Sequence, residues 1–281
     1  LSYNNWLALK EFNDMHSEKM ITLFDEYGTP TLNQDRENEI FVGVAVSYKK
    51  SDEESIFKKV EDVFGFNKIQ PIKNAQISVR KSIEIAESLI QLELYVSVIT
   101  LDLNNPKFIE SITAYHARSN EIRTNIRNIK SRPIAQIIHS KVLSNCLFET
   151  ITLCLETSSK LSEFEVFIDN WSIPQKDISI YLQDRSGSLS KNIKRLFPYV
   201  EVRPIELLSC DNKRKRFIDV ITSIISRNFD SISSEKYTDK PFKLLFSSQS
   251  IKTIQVDITE KEADLMNSMI NEFNNNNVVT N

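Results

Sequence analysis

Two adjacent carboxylates, Asp25 and Glu26, close the apolar run Ile21–Phe24 and precede Tyr27-Gly28. Carboxylate oxygens are hard ligands suited to Mg²⁺ or Mn²⁺. Phosphoryl transfer on such ions uses acidic oxygens that flank and bridge cations ~3.5–4 Å apart. No single helix or strand offers that geometry, so the ligands have to converge from distant parts of the chain. Two further acids fit such a set. Asp169 ends the short run Glu165–Asp169 (EVFID), and Asp219 lies in a helical pattern that begins at Lys213. Asp25, Asp169 and Asp219 are therefore candidate metal ligands and catalytic residues. Glu26 is the outer ligand or the group that orients water, and Glu149 is a further candidate. The bland alternatives stand beside these roles. An acid before a turn is ordinarily solvated, and Asp169 can cap the turn into Asn170-Trp171. Asp219 falls nearly opposite the Phe217/Ile221/Ile224 stripe at ~100° per residue, where a solvated side chain belongs.

A second group is basic. His116, Asn120, Arg123, Arg127 and Lys130 recur at spacings of four, three, four and three, which places them on one helix face. Arg118 and Arg132 add charge nearby, and Lys213-Arg214-Lys215-Arg216 is a run of four cations. Such clusters follow a phosphate backbone when they are not solvated helix faces. His116, Arg123, Arg127, Lys130, Arg214 and Arg216 are the expected nucleic-acid contacts. Tyr115, Trp171 and Tyr181 are base-stacking or packing groups.

The elements that must position these groups alternate between strand and helix. Strands are expected at 20–25, 40–47, 92–101 and 165–169, with a weak one at 199–205 broken by Pro204. Helical spacing marks 52–65, 75–91, 107–130, 134–161 and 213–229. Residues 241–258 resemble a hairpin, and the asparagine-rich 274–281 reads as a disordered tail. The order implies an α/β sheet covered on both faces. The expected division is a domain over 1–235 with a helical insertion at about 105–160, an appendage at 236–273, and the tail.

The chain has 281 residues with 41% hydrophobic and 26% charged side chains, the composition of a soluble globular protein. No apolar run approaches the ~20 residues that span a bilayer, and no cleavable leader is visible, so a cytoplasmic location is expected. A net charge of −3 argues against a globally basic nucleic-acid binder. Four glycines exclude glycine-rich nucleotide loops. The three histidines and three cysteines lack zinc-ligand spacing, and Cys146 and Cys154 fall in an apolar helical pattern as core residues. Ser186-Gly187-Ser188 has no nucleophile-elbow context.

FDEYG followed by FVGVAVS resembles the opening of the bacterial family catalogued as domain of unknown function 3800, a strand running into Asp-Glu-Ser-Gly and then an apolar strand. VFIDN resembles the family's second strand-terminal Asp, and RFIDVITSIISR its closing helix, commonly Gln-x-Ala-Asp-Leu. The resemblance covers roughly residues 20–230. It implies a ribonuclease H-like mixed sheet flanked by helices. It also implies a Mg²⁺- or Mn²⁺-dependent nuclease with Asp25, Asp169 and Asp219 as its acids, and a setting among mobile elements or anti-phage defence genes. Tyr27 stands where the family has serine, Arg216 and Ile218 where it has Gln and Ala, and the family's middle histidine has no evident counterpart. A catalytically inactive subunit of a defence complex, serving assembly or nucleic-acid binding, is the alternative expectation.

Overall fold

The first strand explains the rest of the architecture. Residues Met20–Phe24 are β-branched, aromatic or long apolar side chains that suit burial on both sides of a central strand, and all five are fully buried. In the computed structural model, which describes residues 18–32, 40–64, 78–126, 133–158, 160–169, 175–209, 213–226 and 240–278, they lie in β1 (Glu18–Tyr27). β1 pairs antiparallel with β2 (Ile40–Lys49), and β2 pairs antiparallel with β3 (Leu94–Asp102). On its other side β1 runs parallel to β4 (Leu161–Ile168), which carries the two-residue strands β5 (Glu201–Val202) and β6 (Glu206–Leu207). β7 (Ile251–Asp257) adds in parallel to β3. The seven strands form one mixed sheet in the order β5-β4-β1-β2-β3-β7, with β6 also on β4.

Helices cover both faces. In chain order they are α1 (Glu53–Phe64), α2 (Val79–Leu89), α3 (Pro106–Glu121), α4 (Ile134–Thr157), α5 (Gln175–Leu196), α6 (Lys213–Ser226), α7 (Lys240–Ser247) and α8 (Thr259–Val278). Side chains alternate across a strand, so β1 feeds two cores. Met20 and Phe24 pack with α3, α4, α5 and α8 through Phe108, Val142, Tyr181 and Met266. Ile21 and Leu23 pack with α1, α2, α6 and α7 through Ile56, Leu89, Ile221 and Leu245. Gly43 of β2 lets α4 approach: an added Cβ would lie 2.4 Å from Val142 Cγ1 and 3.0 Å from Phe24 Cε2. Cys146 and Cys154 are buried free thiols on α4, and burial pushes both thiols up, Cys146 to about 12.

Several expectations need correction. β1 does not stop at residue 25. It continues through Tyr27 because Val42–Val44 of β2 extend the ladder beside Asp25–Tyr27. The turn follows at Gly28, whose φ of 96° disfavours any side chain. Residues 241–258 are not a hairpin but helix α7 followed by β7, and β7 is an integral edge of the sheet rather than part of an appendage. The region around 105–160 is helical, yet α4 packs across β1, β2 and β3 as a layer of the core, not as an insertion. α8 runs through Val278, so most of the supposed tail is helical. No described helix is long and apolar enough to cross a membrane.

Candidate metal centre

Three acids distant in sequence meet at one end of the sheet. β1 and β4 are parallel neighbours in a register that pairs Phe24 with Ile168. The Asp169 N–H extends that ladder by donating to the Phe24 carbonyl at 3.1 Å. Phe24 and Ile168 both enter the α4-side core. By alternation Asp25 and Asp169 point to the other face, under α6. There α6 contributes Asp219 from its second turn. One carboxylate oxygen from each of Asp25, Asp169 and Asp219 lies within 4.8 Å of the others, and all three residues are half-buried.

The sequence pattern puts Asp219 where a solvated acid would lie, and the structure shows why it is not simply solvated. From Arg216 on, α6 has no exposed side: its apolar residues Phe217, Ile218, Val220, Ile221, Ile224 and Ile225 are buried, and so are the polar Thr222, Ser223 and Ser226. The side of the helix away from the apolar stripe is also enclosed, and Asp219 faces the sheet end from it. The electrostatics follow. Burial pushes the Asp25 carboxyl well above the usual range, and the charges of Glu26, Asp219 and Asp169 add to the effect. Burial likewise raises Asp219, to about 6, with Lys215 opposing and Asp169 reinforcing the shift. Three carboxylates held this close resist being ionised together. A donor set of hard oxygens whose charges repel fits a divalent cation, which would hold all three as carboxylates.

Lys215 completes the centre, and sequence reasoning gave it no role beyond the basic run. It lies four residues before Asp219 on the same helix face, and its Nζ donates to Asp169 Oδ2. Burial works against its charge, but the Asp169 bond and the charges of Asp219, Asp169 and Asp25 raise its pKa overall. The i,i+4 spacing to Asp219 was the signal available for it.

Glu26 is placed differently from expectation. Next to Asp25 on a strand, it points to the opposite face and belongs to no cluster with the three aspartates. It approaches His139 of α4, with 3.7 Å between Glu26 Oε2 and His139 Nε2. His139 Nδ1 in turn hydrogen-bonds the Tyr181 hydroxyl of α5 at 2.8 Å. His139 is fully buried beside Phe24 and Phe41. Nothing in its spacing marks it in the sequence. Tyr181 is 2% exposed, a packing residue with its hydroxyl bonded rather than a stacking platform. Tyr115 stacks on Phe273. Glu149 lies on α4 and is not in the acid cluster.

The basic expectations fare unevenly. Lys213 pairs with Glu61 at 2.9 Å. Arg214 forks onto Glu53 at 2.6 and 3.2 Å and lies 4.2 Å above the Phe167 ring. Arg216 is 8% exposed. The four-cation run is therefore a set of ion-paired or buried side chains, and Arg214 and Arg216 do not form a solvent-facing phosphate track. His116 and Asn120 share a helix face as the spacing implies, joined at 2.8 Å. Beyond Glu121 the helix widens into a π turn (Ile122–Ile126) that carries Arg123, so the regular spacing of that face is not kept. α3, which carries His116 and Asn120, packs into the core opposite the acid cluster, so these two do not flank one site with the basic run of α6. Arg127, Lys130, Arg132 and Trp171 lie outside the described residues. A cleft of about 450 Å³ along β4 is lined by Lys19, Arg203, Glu163, Glu165 and Glu206, whose acids outnumber its cations and offer no attraction to a polyanion.

No family model matches this chain, and no curated protein matches it significantly.

Proposed function

We propose that the chain is a divalent-metal-dependent phosphodiesterase acting on nucleic acid, built on a ribonuclease H-like core. The observation that carries this reading is the convergence of Asp25, Asp169 and Asp219 from two neighbouring parallel strands and an overlying helix. A mixed sheet flanked by helices, with Asp25 near the end of β1, Asp169 just past β4 and Asp219 on the helix above them, supports it. A bound Mg²⁺ or Mn²⁺ supplies Lewis-acid polarisation of a phosphoryl oxygen and of water. The chain's own contribution is geometric and electrostatic. Asp25 and Asp169 are fixed by the β1–β4 ladder, and Asp219 by the packing of α6. The half-buried setting limits water, which strengthens each carboxylate's pull on a cation. Arg214, one residue before Lys215, is held by Glu53 and by the Phe167 ring, which anchors the first turn of α6.

A second reading, the catalytically inactive subunit, has one specific observation in its favour. Lys215 already supplies an internal cation to Asp169. One experiment separates the two. Mn²⁺ titration followed by electron paramagnetic resonance is expected to show saturable binding that is lost in Asp25→Ala, together with Mn²⁺-dependent cleavage of plasmid DNA or structured RNA. Absence of binding at millimolar Mn²⁺, with the fold intact by circular dichroism, selects the inactive subunit. Nucleic-acid affinity measured by filter binding across a salt series has to fall as salt rises if phosphate contacts hold the substrate.

A further inference from the structure

Four consecutive cations open α6, and among the described ion pairs three of them are committed. Lys213 binds Glu61, Arg214 binds Glu53, and Lys215 binds Asp169. Arg216 is buried. Lys215 is thus the member of the run that engages a residue of the acid cluster. Its partner acid is 20% exposed and its own side chain 17% exposed, so the pair lies at the mouth of the centre with a path to water. Lys215 and Asp219 share one face of α6, and the ammonium feels the charges of all three aspartates. A lysine is a compact charge on a flexible stem. It can neutralise a carboxylate and leave it by rotating its own side chain, with no backbone movement.

We propose that Lys215 is a built-in competitor for the divalent ion. Its ammonium occupies Asp169 in the metal-free protein, and a divalent ion takes its full set of oxygens only after the lysine swings out. The proposal rests on the reading of the three acids as a metal centre and describes how that centre is regulated. The physical reason is charge. Three carboxylates with oxygens inside 4.8 Å are ionised together only with a cation among them, and the chain carries one within reach. A resident lysine keeps the empty site folded, but it lowers the apparent affinity for metal by the fraction of time the seat is vacant. With the seat occupied nine-tenths of the time, the apparent affinity falls about tenfold. The centre then responds to metal only above a threshold set by Lys215.

The test is Mn²⁺ binding by the full chain, followed as the loss of the free-Mn²⁺ resonance, for wild type, Lys215→Gln and Lys215→Arg. Lys215→Gln is expected to bind about tenfold more tightly than wild type, and Lys215→Arg no more tightly. A second measurement uses the wild type alone and needs no variant to fold. Reductive methylation read by mass spectrometry is expected to leave Lys215 protected in chelator and to modify it several-fold faster at saturating Mg²⁺. Lys215→Gln binding Mn²⁺ with wild-type or weaker affinity overturns the competitor role while leaving the metal centre in place, as does a labelling rate unmoved by Mg²⁺. Failure of every protein, wild type included, to bind Mn²⁺ overturns the metal reading itself.

Discussion

Asp25 and Glu26 are neighbours on one strand and sit in two different chemistries. Asp25 joins two other carboxylates and an ammonium in a half-buried, charge-dense centre under α6. Glu26 turns into an aromatic-lined interior, where it approaches His139 and, through it, Tyr181. A difference of one residue along a strand reverses the face, and each face has its own helical layer. Adjacency in sequence therefore says little about shared function on a strand, whereas 144 residues separate Asp25 from Asp169, its close partner.

The largest effect expected from this contrast is loss of metal binding at the proposed centre. Asp25→Asn or Asp219→Asn should weaken Mn²⁺ binding more than ~100-fold, beyond the ~10–100-fold typical of groups that only orient a ligand. The same Asp25→Asn change should raise the Tm in chelator, because it removes a buried charge among like charges. Titration calorimetry and a thermal melt in chelator check the two halves; unchanged Mn²⁺ binding would break the assignment of the α6 face.

On the α4 face the expected effect is on stability. Gly43→Ala forces a methyl against Val142 and Phe24, at a cost of about 1–3 kcal/mol in urea unfolding. Mn²⁺ affinity per folded molecule should stay the same. A loss of metal affinity equal to that of Asp25→Asn would show that the two faces are not separate.

A smaller effect is the pH dependence of the metal-free protein. The folded pKa of Asp219 is about 6 against an ordinary 3.8. Between these values the folded state holds a proton that the unfolded chain has released. The Asp219 contribution to stability should therefore fall as pH rises through that window and level off above it. Metal binding should do the reverse and strengthen as pH rises through about 6, because the ligand must be a carboxylate. Urea titrations across pH should lose part of this slope in Asp219→Asn; an unaltered slope would assign the titration elsewhere.

The smallest expected change belongs to Glu26→Gln. Sharing no ligand with the cluster, it should move Mn²⁺ affinity less than about threefold. Loss of binding on the scale of Asp25→Asn would merge the two acids into one functional unit.

Much of the sheet was legible because burial on both faces leaves a plain mark. IFVGVAVS and LYVSVITL have little other use than as interior strands, and both are. β7 was harder. Edge strands keep one side open, so IKTIQVD alternates with polar residues and reads as readily as one arm of a hairpin. The extension of β1 past Asp25 was hidden because pairing with β2, not local propensity, carries a strand through two acids. The three aspartates were legible as strand-end and helix acids. Lys215 left only its i,i+4 spacing to Asp219 as a mark, and His139 and the separation of Glu26 from Asp25 left none, because each role depends on which face a neighbouring element covers.

By itself the sequence determined the apolar strands, the turn at Gly28, the long helix α4 and the types of side chain available for metal chemistry. Local stereochemistry and apolar periodicity act over a few residues and need no partner to be read. Tertiary structure alone decided that Asp169 lies beside Asp25, that α6 turns Asp219 inward, and that Lys215 rather than solvent meets their charge. Those outcomes depend on parallel register and on helix packing against a sheet, which are long-range choices made by the burial of the whole core.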